Sequence, residues 1–434
     1  MNNKERRKGL GEFIALDNSA LIYPPTEAAY NANTFRISID LRVPIEVAIL
    51  RTALDQVSER CPYMMLELKK GFFWYYLTAN DRQLPLWPEG SYPAGRMDFV
   101  ANNHFLIKVI YSERRIGVEC FHALTDGGGA LAYLKLLVER YAELSGLATF
   151  SFTDGLKWDS KAAKEEFSDP FQTLYDPKVR APKMVGRAYH RKGSPPRSQA
   201  VKVIRAQMPS IQVRERAKSR GLTIGEYFSA VYLYTLQELQ QKERSKKIRR
   251  RPIRLSVPMN LRRIFGIETM RNFTLFALIG LEGGVGHHDF EEICKQVQLQ
   301  MGLQSEKKQL LRQIKRNVAG QRNALMRFVP NWLKNPLFKL LSDALGDHQY
   351  SGIISNLGQV QLPDALKPYV EAMDFHLSPG SLNPVSVAVV GYHDRLAINF
   401  SSFLDRDTEL ERQFLTFMVE DGVEVSVATN REDR

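Results

Sequence analysis

Cysteine is scarce in this 434-residue sequence, which argues against structural disulfides and cysteine-ligated metal sites. The three cysteines, Cys61, Cys120 and Cys294, are far apart, lie in apolar surroundings and are odd in number. This usage is typical of reduced core residues rather than of a disulfide framework or a zinc site. We therefore expect no structural disulfide and no metal site.

Long hydrophobic runs are also missing. No apolar run reaches the roughly 18 residues that a membrane-spanning helix needs. The first ten residues, MNNKERRKGL, are basic, but no hydrophobic segment of signal-peptide type follows them. We therefore expect a cytoplasmic protein without a transmembrane segment, a prediction that is compatible with peripheral contact at a membrane surface.

The sequence lacks the usual motifs for nucleotides and nucleic acids. Gly127–Gly129 precede a predicted helix, but neither Gly-x-Gly-x-x-Gly nor a Gly-Lys-Ser/Thr ending is present. The basic tract Lys242–Arg251 has no interleaved aromatic residues of the kind that stack on single strands, so we expect no nucleic-acid partner. The net charge of +12 still favours an anionic partner. The tract is either a solvated loop or a binding surface for a phosphorylated cofactor, an acidic carrier protein or a membrane.

What is present is enough apolar sequence for two ordinary globular cores. Hydrophobic residues make up 44% of the chain, and a chain of 434 residues favours two domains. Prolines are frequent from Asp169 to Arg197. We therefore predict a first domain at 1–175, a linker or crossover at 176–200 and a second domain at 201–434.

Both halves show strands with alternating apolar residues next to helices with one apolar face, which predicts an α/β (α+β) fold. The alternation of Phe35, Ile37, Ile39 and Leu41 is one such strand. Gln83–Asp98 is predicted to be an ordered loop, because it contains three prolines. In the second half we predict one long polar helix over Asp289–Asn317 and a further helical stretch over Trp332–Leu345.

The most informative stretch is GVECFHALTDGGG at 117–129. Alternating apolar residues predict a strand that Phe121 closes, and helical spacing resumes after the glycines, with Thr125 or Asp126 as N-cap. His122 therefore lies at a strand-to-helix corner, where an imidazole with a pKa near 6.5 can accept a proton at neutral pH. The alternative is a hydrogen-bonded structural histidine beside an aspartate that caps a helix.

These residues resemble a known family. His122, Asp126 and Gly127 match the His-x-x-x-Asp-Gly motif of the CoA-dependent acyltransferase superfamily. VPMNLRR at 257–263, RNFT at 271–274 and ISNLG at 354–358 are similar to later segments of the alcohol acetyltransferase, polyketide-associated acyltransferase and condensation-domain branch. Many members have two consecutive histidines where this chain has Phe121 before His122, but in the family the second one is the base.

The resemblance implies two chloramphenicol acetyltransferase-like subdomains, each a mixed, largely antiparallel sheet with helices. They would meet at a V-shaped interface with a central tunnel. His122 would be the general base, and Asp126, paired with Arg262 (or Arg263 or Arg271), would hold its loop. Ser355 or Asn356 would face the substrate and stabilise the oxyanion.

For the reaction, the resemblance implies transfer of an acyl group from acyl-CoA, as co-substrate, to a small-molecule or lipid-like alcohol or amine, without a bound cofactor. Two alternatives are kept. One is a condensation-like enzyme that takes its acyl group from an acyl carrier protein. The other is a noncatalytic protein of the same fold that binds a hydrophobic ligand.

Overall fold

The computed structural model describes residues 13–150, 156–183, 185–191, 198–322, 329–333 and 347–431. Within these ranges the strands form sheets of three, five and seven strands, with helices packed against them. Pairing is antiparallel except at three strand pairs. The predicted mixed α/β class is confirmed.

The first half of the chain builds most of the five-stranded sheet and the whole three-stranded sheet. Its strands are β1 (Ile14–Ala15), β2 (Thr34–Leu41), β3 (Leu66–Lys70), β4 (Tyr75–Ala79), β5 (Leu86–Pro88), β6 (Ile107–Tyr111) and β7 (Arg115–Phe121). Its helices are α1 (Tyr23–Thr26), α2 (Val47–Arg60), α3 (Gly127–Leu144) and α4 (Pro170–Thr173), with short 3-10 helices at Ala20–Ile22, Pro62–Met64 and Glu165–Phe167. The predicted loop Gln83–Asp98 therefore contains a short strand, β5, which pairs in parallel with β6 at the sheet edge, where a proline is tolerated.

The second half builds the seven-stranded sheet, in the order β10-β9-β11-β13-β14-β8-β15. The strands are β8 (Lys202–Pro209), β9 (Ile253–Asn260), β10 (Thr274–Leu281), β11 (Gly352–Val360), β12 (Val370–Leu377), β13 (Val385–Tyr392), β14 (Arg395–Ser402) and β15 (Ser426–Thr429). The helices are α5 (Ser210–Ser219), α6 (Ile224–Gln241), α7 (Lys246–Arg249), α8 (Leu261–Phe265), α9 (Phe290–Gln304), α10 (Lys307–Arg322) and α11 (Glu409–Glu420), with 3-10 helices at Asp347–Gln349 and Lys367–Tyr369.

One strand joins the two halves. β12 does not belong to the seven-stranded sheet but pairs antiparallel with β2, with Phe375 opposite Ile37, and so forms the edge of the five-stranded sheet. The domain boundaries at 175 and 201 stay a prediction, and any division of the chain has to accommodate this strand.

The long helix predicted over Asp289–Asn317 is two helices, α9 and α10. The apolar stripe of α9 continues through Ile293, Val297 and Met301, but the next inward apolar residue is Leu310. Because polar residues fill the helical positions in between, nothing holds a continuous helix against the core there. Of the predicted stretch Trp332–Leu345, residues 334–345 lie outside the described part of the chain.

Each half has its own hydrophobic core. Ile37, Val118 and Leu134 are fully buried in the first core, and Leu255 and Val387 are fully buried in the second. The cysteines are buried and unpaired. Across the residues that the structure describes, no helix combines the length and apolar character needed to cross a membrane.

Candidate active site

A cavity of about 810 Å³ is lined by strands of both large sheets. β2 and β12 of the five-stranded sheet contribute Phe35 and Phe375. β9, β10 and β11 of the seven-stranded sheet contribute residues that include Thr274 and Ser355. His122 lines the same cavity, just beyond the end of β7.

The position of His122 is fixed by its neighbours in the first half. Its backbone N–H donates to the carbonyl oxygen of Asn33 at 2.9 Å, which extends the pairing of β7 with β2 by one residue. The ring of Tyr23 stacks on the imidazole with centroids 4.5 Å apart and an interplanar angle of 18°. Phe35 meets the imidazole edge-on at 5.0 Å. The ring is therefore held on two sides by aromatic groups.

Asn272 sets the tautomer of this imidazole from the second half of the chain. Its side-chain amide nitrogen donates to the Asp17 carboxylate and to the His122 carbonyl oxygen, each at 3.1 Å, so its oxygen is the atom that lies 3.0 Å from His122 Nδ1. An amide oxygen only accepts, so Nδ1 carries the hydrogen. Nε2 is left with its lone pair free, and within the described residues it has no hydrogen-bond partner.

Burial lowers the pKa of His122 below its usual value, although the negative charge of Asp126 and the hydrogen bond to Asn272 partly oppose this effect. The imidazole is therefore neutral at physiological pH. A neutral ring with a free Nε2 can accept a proton from a bound hydroxyl or amine.

The Asp126 carboxylate is surrounded by hydrogen-bond donors. Arg262 donates to both of its oxygens, at 2.8 and 2.9 Å, and the carboxylate also accepts from the backbone N–H groups of Phe273 and Gly129 and from the Thr274 hydroxyl. Burial opposes ionisation, but the charge and hydrogen bonds of Arg262 outweigh it and lower the pKa of Asp126. With these donors in place the carboxylate is not free to relay a proton, and it ties the start of α3 to β10.

The hydrogen-bond donors of Arg262 are also fully used within the protein. Its Nε donates to the Thr269 carbonyl oxygen at 2.8 Å, and its two terminal nitrogens donate to Asp126, the Arg271 carbonyl oxygen and Asn260. All five guanidinium N–H groups therefore have acceptors. Of the other two arginines considered as partners, Arg271 lies beside Asp17, and Arg263 is exposed.

Gly127 and the ISNLG segment meet across the cavity. A Cβ at Gly127 would come within 3.0 Å of Leu357 Cδ2, so glycine allows the first turn of α3 to approach β11. Ser355 lines the cavity together with His122. The side-chain oxygen of Asn356 instead accepts from the Gly358 N–H at 2.7 Å, beside the irregularity in the pairing of β11 with β13.

Asn272, Asp17 and Tyr23 are parts of the site that were not predicted from the sequence. Asn272 lies within RNFT, a segment whose resemblance to the family does not indicate a role for this residue. The sequence contains no local signal for the other two, because their contacts with the site span more than 90 residues. Among the described residues, no group of three or more His, Cys, Asp or Glu side chains is arranged to hold a metal ion.

Comparison with known proteins identifies the fold. No protein-family model and no curated protein sequence matches the chain. Among solved structures, the first condensation domain of the calcium-dependent antibiotic synthetase matches with a TM-score of 0.61 and 12% identity, over 96% of this chain and all of that one. Trichothecene 15-O-acetyltransferase from Fusarium sporotrichioides matches with a TM-score of 0.58 and 11% identity, over 95% and 97%. TRI101 from F. graminearum, complexed with coenzyme A and deoxynivalenol, matches with a TM-score of 0.58 and 11% identity, over 96% and 100%.

These similarities extend over nearly the whole chain at low identity, so they establish the fold. The chain has the two-subdomain chloramphenicol acetyltransferase-like fold, and this prediction from the sequence is confirmed.

Proposed function

We propose that this protein is an O-acyltransferase that moves an acyl group from acyl-CoA to a hydroxyl, or less readily an amine, with His122 as general base. One observation carries the proposal. A neutral imidazole, fixed in the tautomer that leaves Nε2 free, lines a cavity between the two halves of a chloramphenicol acetyltransferase-like fold.

In the proposed reaction, Nε2 of His122 takes the proton of the acceptor hydroxyl as its oxygen attacks the thioester carbonyl carbon. The C–S bond then breaks, and the CoA thiolate leaves with the proton that the imidazolium returns. No covalent enzyme intermediate is required. The negative charge that develops on the carbonyl oxygen needs a donor already in position, and Ser355 is our candidate because it lines the same cavity as His122.

Asp126, Arg262 and Gly127 support the reaction without touching the reacting atoms. The Asp126–Arg262 ion pair fixes the turn between His122 and α3, and Gly127 lets this turn approach β11. Asn272 keeps the imidazole in its basic tautomer. These residues are positioning residues in our proposal.

Two features bear on the acyl donor. A structural neighbour was solved with coenzyme A, which supports an acyl-CoA donor. Another neighbour is a condensation domain, and Lys242, Arg244, Lys246 and Lys247 of the basic tract are exposed, which favours an acidic carrier protein as the second candidate donor. Presenting the same acyl group on CoA and on an acyl carrier protein, and comparing kcat/KM, decides between the two.

The test of the function is to replace His122 with alanine. We expect acyl transfer to fall by roughly 10²–10⁴-fold, the usual contribution of a positioned general base. Thiol release from a series of acyl-CoAs is measured with a panel of alcohols and amines, and intact-mass analysis identifies the acylated product. His287→Ala is the matched control, because His287 is exposed and pairs with Glu238. Turnover unchanged in His122→Ala would remove the proposed mechanism.

A further inference from the structure

The face of α10 that lines the cavity is polar. Gln309, Gln313, Arg316 and Asn317 line the cavity. Leu310, Ile314 and Val318 are fully buried in the second core. Because residues three and four apart lie side by side on a helix, Gln313, Arg316 and Asn317 form one patch, which we call the α10 patch.

Arg316 in this patch has no acidic partner among the residues that the structure describes. Within the described residues no carboxylate lies within salt-bridge distance of it, and its contact there is a weak hydrogen bond, from Nε to the Asn317 side-chain oxygen at 3.4 Å. Its terminal guanidinium nitrogens have no acceptor in the described part of the protein. The forked donor pair that recognises a carboxylate is therefore unused.

The side-chain amides of the α10 patch also lack hydrogen-bond partners among the described residues. Gln313 and the Asn317 amide nitrogen make no hydrogen bond to the described residues. Glutamines of α9 that line the same cavity behave differently. Gln300 and Gln304 exchange hydrogen bonds with the backbone of β10, at Gly280 and Leu278. Among the described residues of this wall, the unused donors thus lie on α10, at side chains that line the cavity.

An arginine that has no ion-pair partner among the described residues is unfavourable at a partly buried position. Arg316 is half-buried, and desolvation lowers its pKa. A partly desolvated guanidinium without an acceptor loses hydration that nothing in the described protein replaces. A ligand that enters the cavity with a negative group would restore these hydrogen bonds.

We propose that the α10 patch binds a carboxylate on the acyl acceptor, so that the acceptors of this enzyme are hydroxy acids or amino acids acylated at the group that faces His122. The proposal deepens the proposed function and rests on it. Arg316 makes the forked contact, and Gln313 and Asn317 donate from either side.

The charge of the cavity favours an acceptor carboxylate over the phosphates of CoA. CoA carries several negative charges, whereas the interior of the described lining offers one unpaired cation. Of the other basic residues in the lining, Arg254 already contacts Glu282 at 3.8 Å and donates to the Gly186 carbonyl oxygen, and Lys183 is exposed. One guanidinium matches one carboxylate.

The experiment compares Arg316→Gln with Lys308→Gln. Lys308 is exposed on the same helix and does not line the cavity, so the control makes the same change in charge. Acceptors are ω-hydroxy acids from hydroxybutanoate to hydroxydodecanoate and the n-alkanols of the same length. Acetyl-CoA and acetyl-pantetheine serve as donors, and calorimetry measures binding of 12-hydroxydodecanoate to each protein.

We expect Arg316→Gln to lower kcat/KM for the hydroxy acids by roughly 10- to 100-fold, the usual effect of losing hydrogen bonds to a charged group, while the alkanols change little. Arg316→Lys recovers part of the loss, and Lys308→Gln has no effect. The same loss appears in the calorimetric affinity.

Three results would overturn the proposal. The first is a wild-type enzyme that does not prefer hydroxy acids to alkanols. The second is an Arg316→Gln variant that loses both acceptor classes equally. The third is a KM change for acetyl-CoA but not for acetyl-pantetheine, which would assign Arg316 to the CoA phosphates. If 12-hydroxydodecanoate binds through Arg316 but no acceptor is acylated, the carboxylate site stands and the acyltransferase function fails.

Discussion

Two arginines near the same cavity are used in opposite ways. Arg262 donates all five of its N–H groups to protein acceptors and pairs with the buried Asp126. Arg316 has one weak contact with a neighbouring side chain and no acidic partner in the described structure. Arg316 lines the same cavity as His122, and Arg262 pairs with Asp126, which also lines it.

The difference indicates that Arg262 has a structural role and that Arg316 is available to bind a ligand. A guanidinium whose donors are all satisfied inside the protein has none left for a ligand, so Arg262 holds the His122–Asp126 turn. A partly desolvated guanidinium with unused donors contributes little to the fold and is available to a substrate. Mutations in the two regions should therefore affect different quantities.

The largest effect is expected for Arg262→Ala. This change leaves the buried Asp126 carboxylate without its counter-charge, and breaking such a pair typically costs about 3–5 kcal/mol in the free energy of unfolding. Urea unfolding followed by circular dichroism measures the loss. Arg263→Ala, an exposed neighbour, is the control and should change stability little. A loss below about 1 kcal/mol in Arg262→Ala would remove the architectural role of this arginine.

A smaller effect is expected for Asn272→Ala, which tests the part of the same region that contacts the base directly. Without the amide oxygen beside Nδ1, the imidazole redistributes between tautomers. We expect kcat to fall by roughly 10- to 100-fold, with the acceptor KM nearly unchanged.

The ¹⁵N chemical shifts of the His122 ring give a second readout for this variant. They should show a protonated Nδ1 in the wild type and a mixture of tautomers in Asn272→Ala. An unchanged tautomer together with a lower kcat would mean that Asn272 acts in another way.

The smallest effect is expected for the stability of Arg316→Gln. Because Arg316 makes no ion pair with the described residues, its removal should change the free energy of unfolding by less than about 0.5 kcal/mol, or even raise it. The same unfolding experiment measures this. A loss of unfolding free energy comparable to that of Arg262→Ala would show that Arg316 also has a structural role. The proposed difference between the two arginines would then be wrong.

The sequence predicted local features well. The strand that ends at Phe121, the histidine beyond it and the N-cap at Asp126 all follow from the spacing of apolar and capping residues within one short stretch. The helix was expected after the glycines, but it begins at Gly127 and includes them. The fold class followed from the same local patterns and from the resemblance of a few motifs. The prediction that an arginine pairs with Asp126 also rested on that resemblance.

Contacts between distant parts of the chain could not be predicted in this way. The pairing of β12 with β2 and the stacking of Tyr23 on His122 leave no periodic signal, because each partner shows only its own local pattern. The α10 patch could not be predicted from the sequence for a related reason. Its residues were predicted to belong to one long polar helix, in which nothing distinguished a solvated glutamine from one that lines a cavity.

The most direct test of the central claim, that a neutral His122 is the general base, is the pH dependence of kcat/KM. Burial lowers the pKa of His122 below about 6.5, so the ring stays unprotonated, and the rate should stay level, as the pH falls through that value. It should decline only at lower pH, and this decline should be absent from the residual activity of His122→Ala. A decline centred at or above pH 6.5, or the same decline in His122→Ala, would contradict the claim.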